Sequence, residues 1–326
     1  MGEPSTSESH LVAGVTERFP QSYFSNVKSL RMKMPVHVKW MLQGNSWSCD
    51  KTAFAIPELE MHLDAGYLPS TKHPRYVFLT HCHGDHSTDL PRLVSRHKPP
   101  FVFLPAEAAE GTRGWLDSYI CCKLNMHSSE APTLLPSYHL VPVKEGARIP
   151  LPGCKTGMVI EPIRCIHSVP CFGYGFLELR QKLLPEYAAL SGREIATLRK
   201  RGAQLTHEVE VRYFAYLGDT TADVFVQNPH LFKYPVVICE CTFLYEENRA
   251  RAVAKRHTLW PDLEPHVVAH PETVFVLIHF SHRHVAEEVR RFFQEKSLPN
   301  VVAWVAAEHA SEEDPGDPVA PIHDAE

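Results

Sequence analysis

The chain lacks an excess of positive charge: 33 lysines and arginines stand against 38 acidic residues, a formal net charge of −5. That excludes a globally basic nucleic-acid binder and leaves any such contact to local patches. No apolar run is long enough to cross a membrane. The opening Met1–Glu8 stretch is polar and acidic and has no apolar signal core. No internal repeat is present, which sets aside solenoids and propellers. The nine cysteines are an odd number with no secretory pattern ahead of them, so a reducing compartment is expected, the cytoplasm first, with an organelle or the nucleus left open. Cys121-Cys122 lacks zinc-knuckle spacing and is expected to be buried filler. Hydrophobic residues make up 44% of the 326, enough for a sizeable core.

What is present is concentrated in one place. Tyr76-Val77-Phe78-Leu79 reads as a buried strand, and the run His81-Cys82-His83-Gly84-Asp85-His86 comes after it, one residue on. Three imidazoles and a carboxylate at the edge of a sheet are nitrogen and oxygen donors that suit zinc. The alternative is a histidine-rich surface turn, because the same groups buried without partners would be costly.

His-x-His-x-Asp-His resembles the signature of the metallo-β-lactamase superfamily of metal-dependent hydrolases. The resemblance implies an α/β fold, the αβ/βα sandwich: two packed sheets covered by helices, with metals at one edge between them. It also implies further ligands, each in a loop after a strand, and three strand-like stretches end in such residues. Val159–Ile166 runs into His167, Val209–Leu217 into Gly218-Asp219, and Thr273–Ile278 into His279. By resemblance, His81, His83 and His167 hold one metal ion, Asp85, His86 and His279 hold a second, and Asp219 bridges them. Asp64, in Leu63-Asp64-Ala65-Gly66, matches the family's first motif and would orient a ligating histidine. A turn residue before glycine is the other reading of Asp64. The expected cofactor is a pair of Zn2+ ions, with Mn2+ or Fe2+ as substitutes that such sites accept. His83 stands where flavodiiron oxidoreductases carry Glu, which favours zinc hydrolysis. Asp219 stands where zinc β-lactamases use Cys, and a bridging carboxylate suits phosphodiester displacement.

More specifically, residues 35–305 resemble ribonuclease Z, the endonuclease that trims the 3′ side of precursor tRNA. His167-Ser168-Val169-Pro170 with Phe172-Gly173-Tyr174-Gly175, and Tyr216-Leu217-Gly218-Asp219-Thr220, are similar to two of its motifs. Cys239-Glu240-Cys241-Thr242, His257-Thr258 and His279-Phe280-Ser281-His282-Arg283-His284 are similar to its His-Glu-Ala-Thr, His-Ser-Thr and closing stretches. The resemblance implies a metal-activated hydroxide nucleophile, Asp85 as general base, and a Glu240–His257 pair relaying a proton to the leaving ribose oxygen. Glu240 ending a buried strand beside a nearby base is the plainer alternative. A homodimer is a further expectation from the family. Three features depart from the family. Its opening Gly-rich and Pro-x-Lys-x-Arg-Asn elements are replaced by Gln43–Thr52, the inserted arm has no Gly-Pro, and Cys239 stands where the family has His. Two other readings stay open. One is a small-molecule hydrolase of a cyclic nucleotide, lactone or thioester; the other is a catalytically weak relative that binds metal and RNA.

Three segments are expected: a mobile 1–27, a metallo-hydrolase domain 28–310, and a disordered acidic tail 311–326. The domain is expected to carry an inserted arm over 177–210. The arm's apolar spacing predicts two amphipathic helices with a basic tip, Arg199-Lys200-Arg201, that contacts RNA phosphates. A solvated helical face or a dimer contact would look the same. Early strands are expected over Val36–Trp40, Thr52–Ile56 and Glu60–Leu63. Helices are expected over Glu107–Cys122, Glu246–His257 and Val285–Phe293.

Overall fold

Short apolar stretches such as Tyr76–Phe78, Val236–Glu240 and Val274–Ile278 are buried at every position. Full burial without alternation means that both faces of a sheet are covered, as in parallel sheets flanked by helices. The computed structural model describes residues 29–36, 38–70, 72–95, 98–127, 138–154 and 156–306, together with a two-residue strand at 21–22.

Two sheets result. The first holds, in spatial order, β1 (Gln21–Ser22), β2 (Leu30–Lys33), β3 (Met41–Trp47), β4 (Lys51–Ile56), β5 (Met61–Leu63), β6 (Tyr76–Phe78), β7 (Phe101–Pro105) and β8 (His139–Val143). Its pairings are antiparallel as far as β5 and parallel from there on. The second sheet holds β9 (Ile149–Pro150), β10 (Met158–Arg164), β11 (Phe172–Leu183), β12 (Thr206–Tyr216), β13 (Val236–Glu240), β14 (Val274–Ile278) and β15 (Val301–Ala303). Here β9 to β12 are antiparallel and β12 to β15 parallel. The described α-helices are α1 (Gly84–Ser87), α2 (Leu90–Val94), α3 (Ala109–Lys123), α4 (Gly192–Lys200), α5 (Asp223–Gln227), α6 (Arg249–Lys255), α7 (Trp260–Ala269) and α8 (Ala286–Lys296).

Side-chain alternation sorts the strands into four layers. Phe54, Phe78, Phe103, Phe176, Phe214 and Trp304 meet between the sheets. The Phe78 and Phe103 rings stack at 4.9 Å. Each such ring contributes roughly 2–3 kcal/mol by burial. The neighbouring positions Val77, Leu79, Val102 and Leu104 turn outward onto α2 and α3. Val237, Phe275 and Leu277 turn outward onto Trp260, Leu263 and Phe293 of α7 and α8. This is the αβ/βα sandwich expected from the sequence. No described helix is long and apolar enough to cross a membrane.

The strands β5, β6, β10, β12, β13 and β14 all end at one edge, so the loops after them converge. Asp64 and His279 sit there at φ +59° and +62°, and Gly218 lets two loops touch, since a Cβ there would meet Thr80 Cβ at 2.6 Å.

Several expected elements differ. The first long strand begins at Met41 and not Val36, because Val36 takes φ +61° and ends the preceding segment. The arm is not a pair of helices. β11 and β12 extend into it as a ladder pairing Glu178 with Val211 and Leu183 with Thr206. Pro185 then starts a short 3₁₀ turn, and a capping box between Ser191 and Glu194 opens α4, the one α-helix of the arm. The Glu246–His257 helix is a 3₁₀ turn followed by α6, which stops where Arg256 adopts φ +54°. Cys121 is buried, but Cys122 is exposed. Of the segment 1–27, only β1 is described, paired to β2, and the tail 311–326 lies outside the described residues.

Candidate functional site

Seven side chains from both sheets meet at the shared edge. His81 Nε2 lies 3.0 Å from His83 Nδ1, and His167 Nε2 lies 3.2 Å from the same atom. Asp219 Oδ2 faces this group, 3.7 Å from His81 Nε2 and 3.8 Å from His167 Nε2. The other oxygen of Asp219 faces a second group. Its Oδ1 lies 3.3 Å from His86 Nε2 and 3.5 Å from His279 Nε2. Asp85 Oδ2 completes that group, 3.6 Å from His86 Nε2 and 3.4 Å from His279 Nε2. One carboxylate therefore presents an oxygen to each of two donor clusters.

The remote nitrogens of these rings fix their tautomers. Thr80 donates its hydroxyl hydrogen to Asp64, so it accepts from His81 Nδ1 at 3.0 Å. His86 Nδ1 donates to Asp64 Oδ2 at 2.8 Å. His167 Nδ1 donates to the Arg256 carbonyl at 3.2 Å. Thr242 donates to Glu240 and accepts from His279 Nδ1 at 3.1 Å. With Nδ1 engaged, His81, His86, His167 and His279 each turn Nε2 toward the centre, as ligating imidazoles require, whereas His83 presents Nδ1. Burial lowers the pKa of His81, His83 and His167 below the usual imidazole range and keeps those rings neutral. Around His86 burial also opposes charge, but Asp219 and Asp64 outweigh it and hold the ring well above that range. The second cluster thus attracts a positive charge. Buried imidazole nitrogens and carboxylate oxygens that converge on one another in two groups fit divalent metal ions.

Two buried carboxylates organise this arrangement. Asp64, fully buried, accepts from Thr80 N at 2.7 Å, Thr80 Oγ1 at 3.0 Å, His86 Nδ1 at 2.8 Å and the Tyr216 hydroxyl at 2.6 Å. Every neighbour is a donor, so Asp64→Asn would set an amide NH2 against one of them. We expect the variant to hold metal about 10–100-fold more weakly, read as metal retained against a chelator; unchanged retention would contradict an orienting role. Glu240 accepts from Thr220 N at 2.7 Å, His257 Nδ1 at 2.9 Å, Thr242 Oγ1 at 2.5 Å and Thr258 N at 3.0 Å. It thereby ties together the loops that carry Asp219, His257 and His279. Burial opposes protonation of His257, but the Glu240 and Asp219 carboxylates raise its pKa to about 9.

A cleft of about 860 Å³ opens over the two clusters and is lined by His83, Asp85, His167, Asp219, His257 and His279. Cys82, between two of the histidines, points away and contacts Thr112 of α3 at 3.3 Å. Arg199, Lys200 and Arg201 are exposed at the end of α4, on the arm, and do not line the cleft. Sequence reasoning missed Arg251, Lys255 and Arg283, which do line it. Arg251 and Lys255 are one helical turn apart on α6, a spacing visible in the sequence once that helix is recognised. It also missed Arg256, whose guanidinium donates to the His167 carbonyl at 2.8 Å while its own carbonyl holds the His167 ring. Its left-handed backbone leaves no sequence signal.

Residues 70–158 match the metallo-β-lactamase superfamily. The chloroplastic tRNase Z TRZ2 of Arabidopsis thaliana is 28% identical over 260 residues, 77% of this chain and 70% of the relative. The tRNase Z TRZ1 of the same plant is 26% identical over 259 residues, 76% and 88% respectively. Among solved structures, the human tRNase Z short form aligns with a TM-score of 0.47 at 17% identity, covering 81% of this chain and 94% of that one.

Proposed function

We propose that this ribonuclease Z-like protein of the metallo-β-lactamase fold is a metal-dependent endoribonuclease that cleaves on the 3′ side of precursor tRNA, with two zinc ions as cofactor. The observation that carries the reading is Asp219, which offers Oδ2 to the His81–His83–His167 cluster and Oδ1 to the Asp85–His86–His279 cluster. When bound, two ions supply Lewis-acid stabilisation of the attacked phosphate and make water a competent nucleophile near neutral pH.

The chain's own residues do the rest. Asp85 lines the cleft, where its carboxylate would accept the proton of the attacking water. His257, charged at neutral pH and held through Nδ1 by Glu240, has its other ring nitrogen to protonate the leaving ribose oxygen. The phosphorus–oxygen bond to that ribose then breaks, and water's oxygen stays on the phosphate. Arg251, Lys255 and Arg283 supply local positive charge for flanking phosphates on a chain of net charge −5. Arg251→Ala and Lys255→Ala should each raise KM for RNA and flatten its dependence on log salt concentration by about 0.7–0.9. Unchanged KM and slope would remove them from the binding surface.

The arm, with Arg199, Lys200 and Arg201 at its exposed end, is assigned to the body of the RNA away from the cut. A homodimer could bring one subunit's arm to the other's cleft. All nine cysteines are free, in keeping with a reducing compartment such as the cytoplasm. Cleavage of a 3′-extended precursor tRNA by the zinc-loaded protein tests the reading. Hydrolysis of small diesters alone would redirect it to the small-molecule alternative.

A further inference from the structure

The stretch Gln43–Thr52, which stands where the family's opening element is missing, has a place at the site that the mechanism above leaves unused. It forms the end of β3, a tight turn and the start of β4. That turn belongs to the first sheet but is fastened to the second. Trp47 makes a parallel bridge with Phe280, and Ser48 N–H donates to the Phe280 carbonyl at 3.1 Å. The Trp47 indole stacks on the His282 ring at 5.3 Å and 18°, and the Asp50 carboxylate lies 3.7 Å from His282 Nε2.

Held in this way, the turn directs one main-chain amide into the centre. Cys49 N–H donates to Asp85 Oδ2 at 3.0 Å. The same oxygen lies 3.4 Å from His279 Nε2 and 3.6 Å from His86 Nε2. Cys49 has φ +62°, a conformation uncommon for any residue with a Cβ. The backbone behind Asp85 is closed as well, because a Cβ on Gly66 would stand 1.8 Å from the Asp85 carbonyl oxygen. Phe280 directly follows His279, so one turn connects a donor of the first sheet, Asp85, with a donor of the second.

We infer that the turn Trp47–Asp50 is a positioning element: through the Cys49 amide it sets the Asp85 carboxylate in register with His279. The Cys49 thiol takes no part. The inference rests on the reading of Asp85 as ligand and base. A hydrogen bond from an amide to a carboxylate restrains its rotation and is worth more than a neutral one. Without it, Asp85 Oδ2 keeps only its contacts inside the cluster.

The test uses the full chain loaded with zinc, and compares Cys49→Gly, Cys49→Val and Trp47→Ala by zinc retained per chain under chelator competition and by kcat on bis(p-nitrophenyl) phosphate. Glycine accepts the backbone conformation, whereas a β-branched residue resists it. Cys49→Val and Trp47→Ala should release one of the two zinc ions at about tenfold lower chelator concentration. Their kcat should fall by a similar factor, and Cys49→Gly should stay close to the unsubstituted protein on both readouts. Wild-type zinc retention in Cys49→Val would overturn the inference, and so would equal losses in Cys49→Gly and Cys49→Val, which would implicate the thiol. If no variant, including the unsubstituted protein, hydrolyses any diester, the enzymatic reading fails. The zinc-release comparison still decides the positioning claim.

Discussion

Asp219→Ala should lose both metal ions and hydrolytic activity together. Asp219 is 3% exposed and, among the described residues, is the one carboxylate whose two oxygens face different clusters. Burial disfavours its charge, yet His279 and His86 keep its pKa well below the usual carboxylate range. An alanine leaves His81 and His167 without their anionic partner and leaves His86 with Asp64 and Asp85 alone. We expect turnover on any phosphodiester to fall at least about 10³-fold. Metal content per chain after gel filtration should fall from two equivalents to less than one. A variant that keeps two equivalents and full turnover would show that each cluster stands alone and that nothing is bridged.

His257→Ala should separate chemistry from metal binding. The ring is not among the seven central side chains; its Nδ1 is hydrogen-bonded to Glu240 at 2.9 Å and lies farther, 3.9 Å, from Asp219 Oδ2. The ions should stay. Cleavage of RNA, whose leaving group is a ribose alkoxide, should fall about 10²–10⁴-fold, the usual range for losing a positioned acid. Bis(p-nitrophenyl) phosphate has a leaving group that needs no proton, and its hydrolysis should change little. Equal losses on both substrates would remove the proton-donor role. Glu240→Gln should be worse than His257→Ala on both substrates. Its carboxylate also accepts from Thr220 N and Thr258 N, and an amide NH2 cannot.

The site was legible in the sequence because its residues are strand-terminal. A strand that ends at a sheet edge delivers the next residue to that edge, and His81, His167, Asp219 and His279 all come after apolar strands. Asp64 and Glu240 were legible for the same reason, at the ends of β5 and β13. Positions defined by a partner far along the chain were hidden. The Trp47–Asp50 turn gets its place from Phe280 and His282, more than 200 residues away. Arg256 gets its place from His167. The arm was misread because apolar residues at 183, 184, 187 and 190 mimic a helical stripe. The ladder between β11 and β12 claims Leu183, and Pro185 breaks the stripe directly after Leu184. Here strand pairing and proline override periodicity.

The most direct test of the central claim is cleavage of a 3′-extended precursor tRNA by the zinc-loaded protein, run beside bis(p-nitrophenyl) phosphate and repeated after chelation. The account predicts that both are hydrolysed, that the tRNA is cut just after the discriminator base, and that chelation stops both reactions. Hydrolysis of the small diester with the precursor left intact would contradict tRNA processing. Cleavage of the precursor that survives complete metal removal would contradict the metal centre itself.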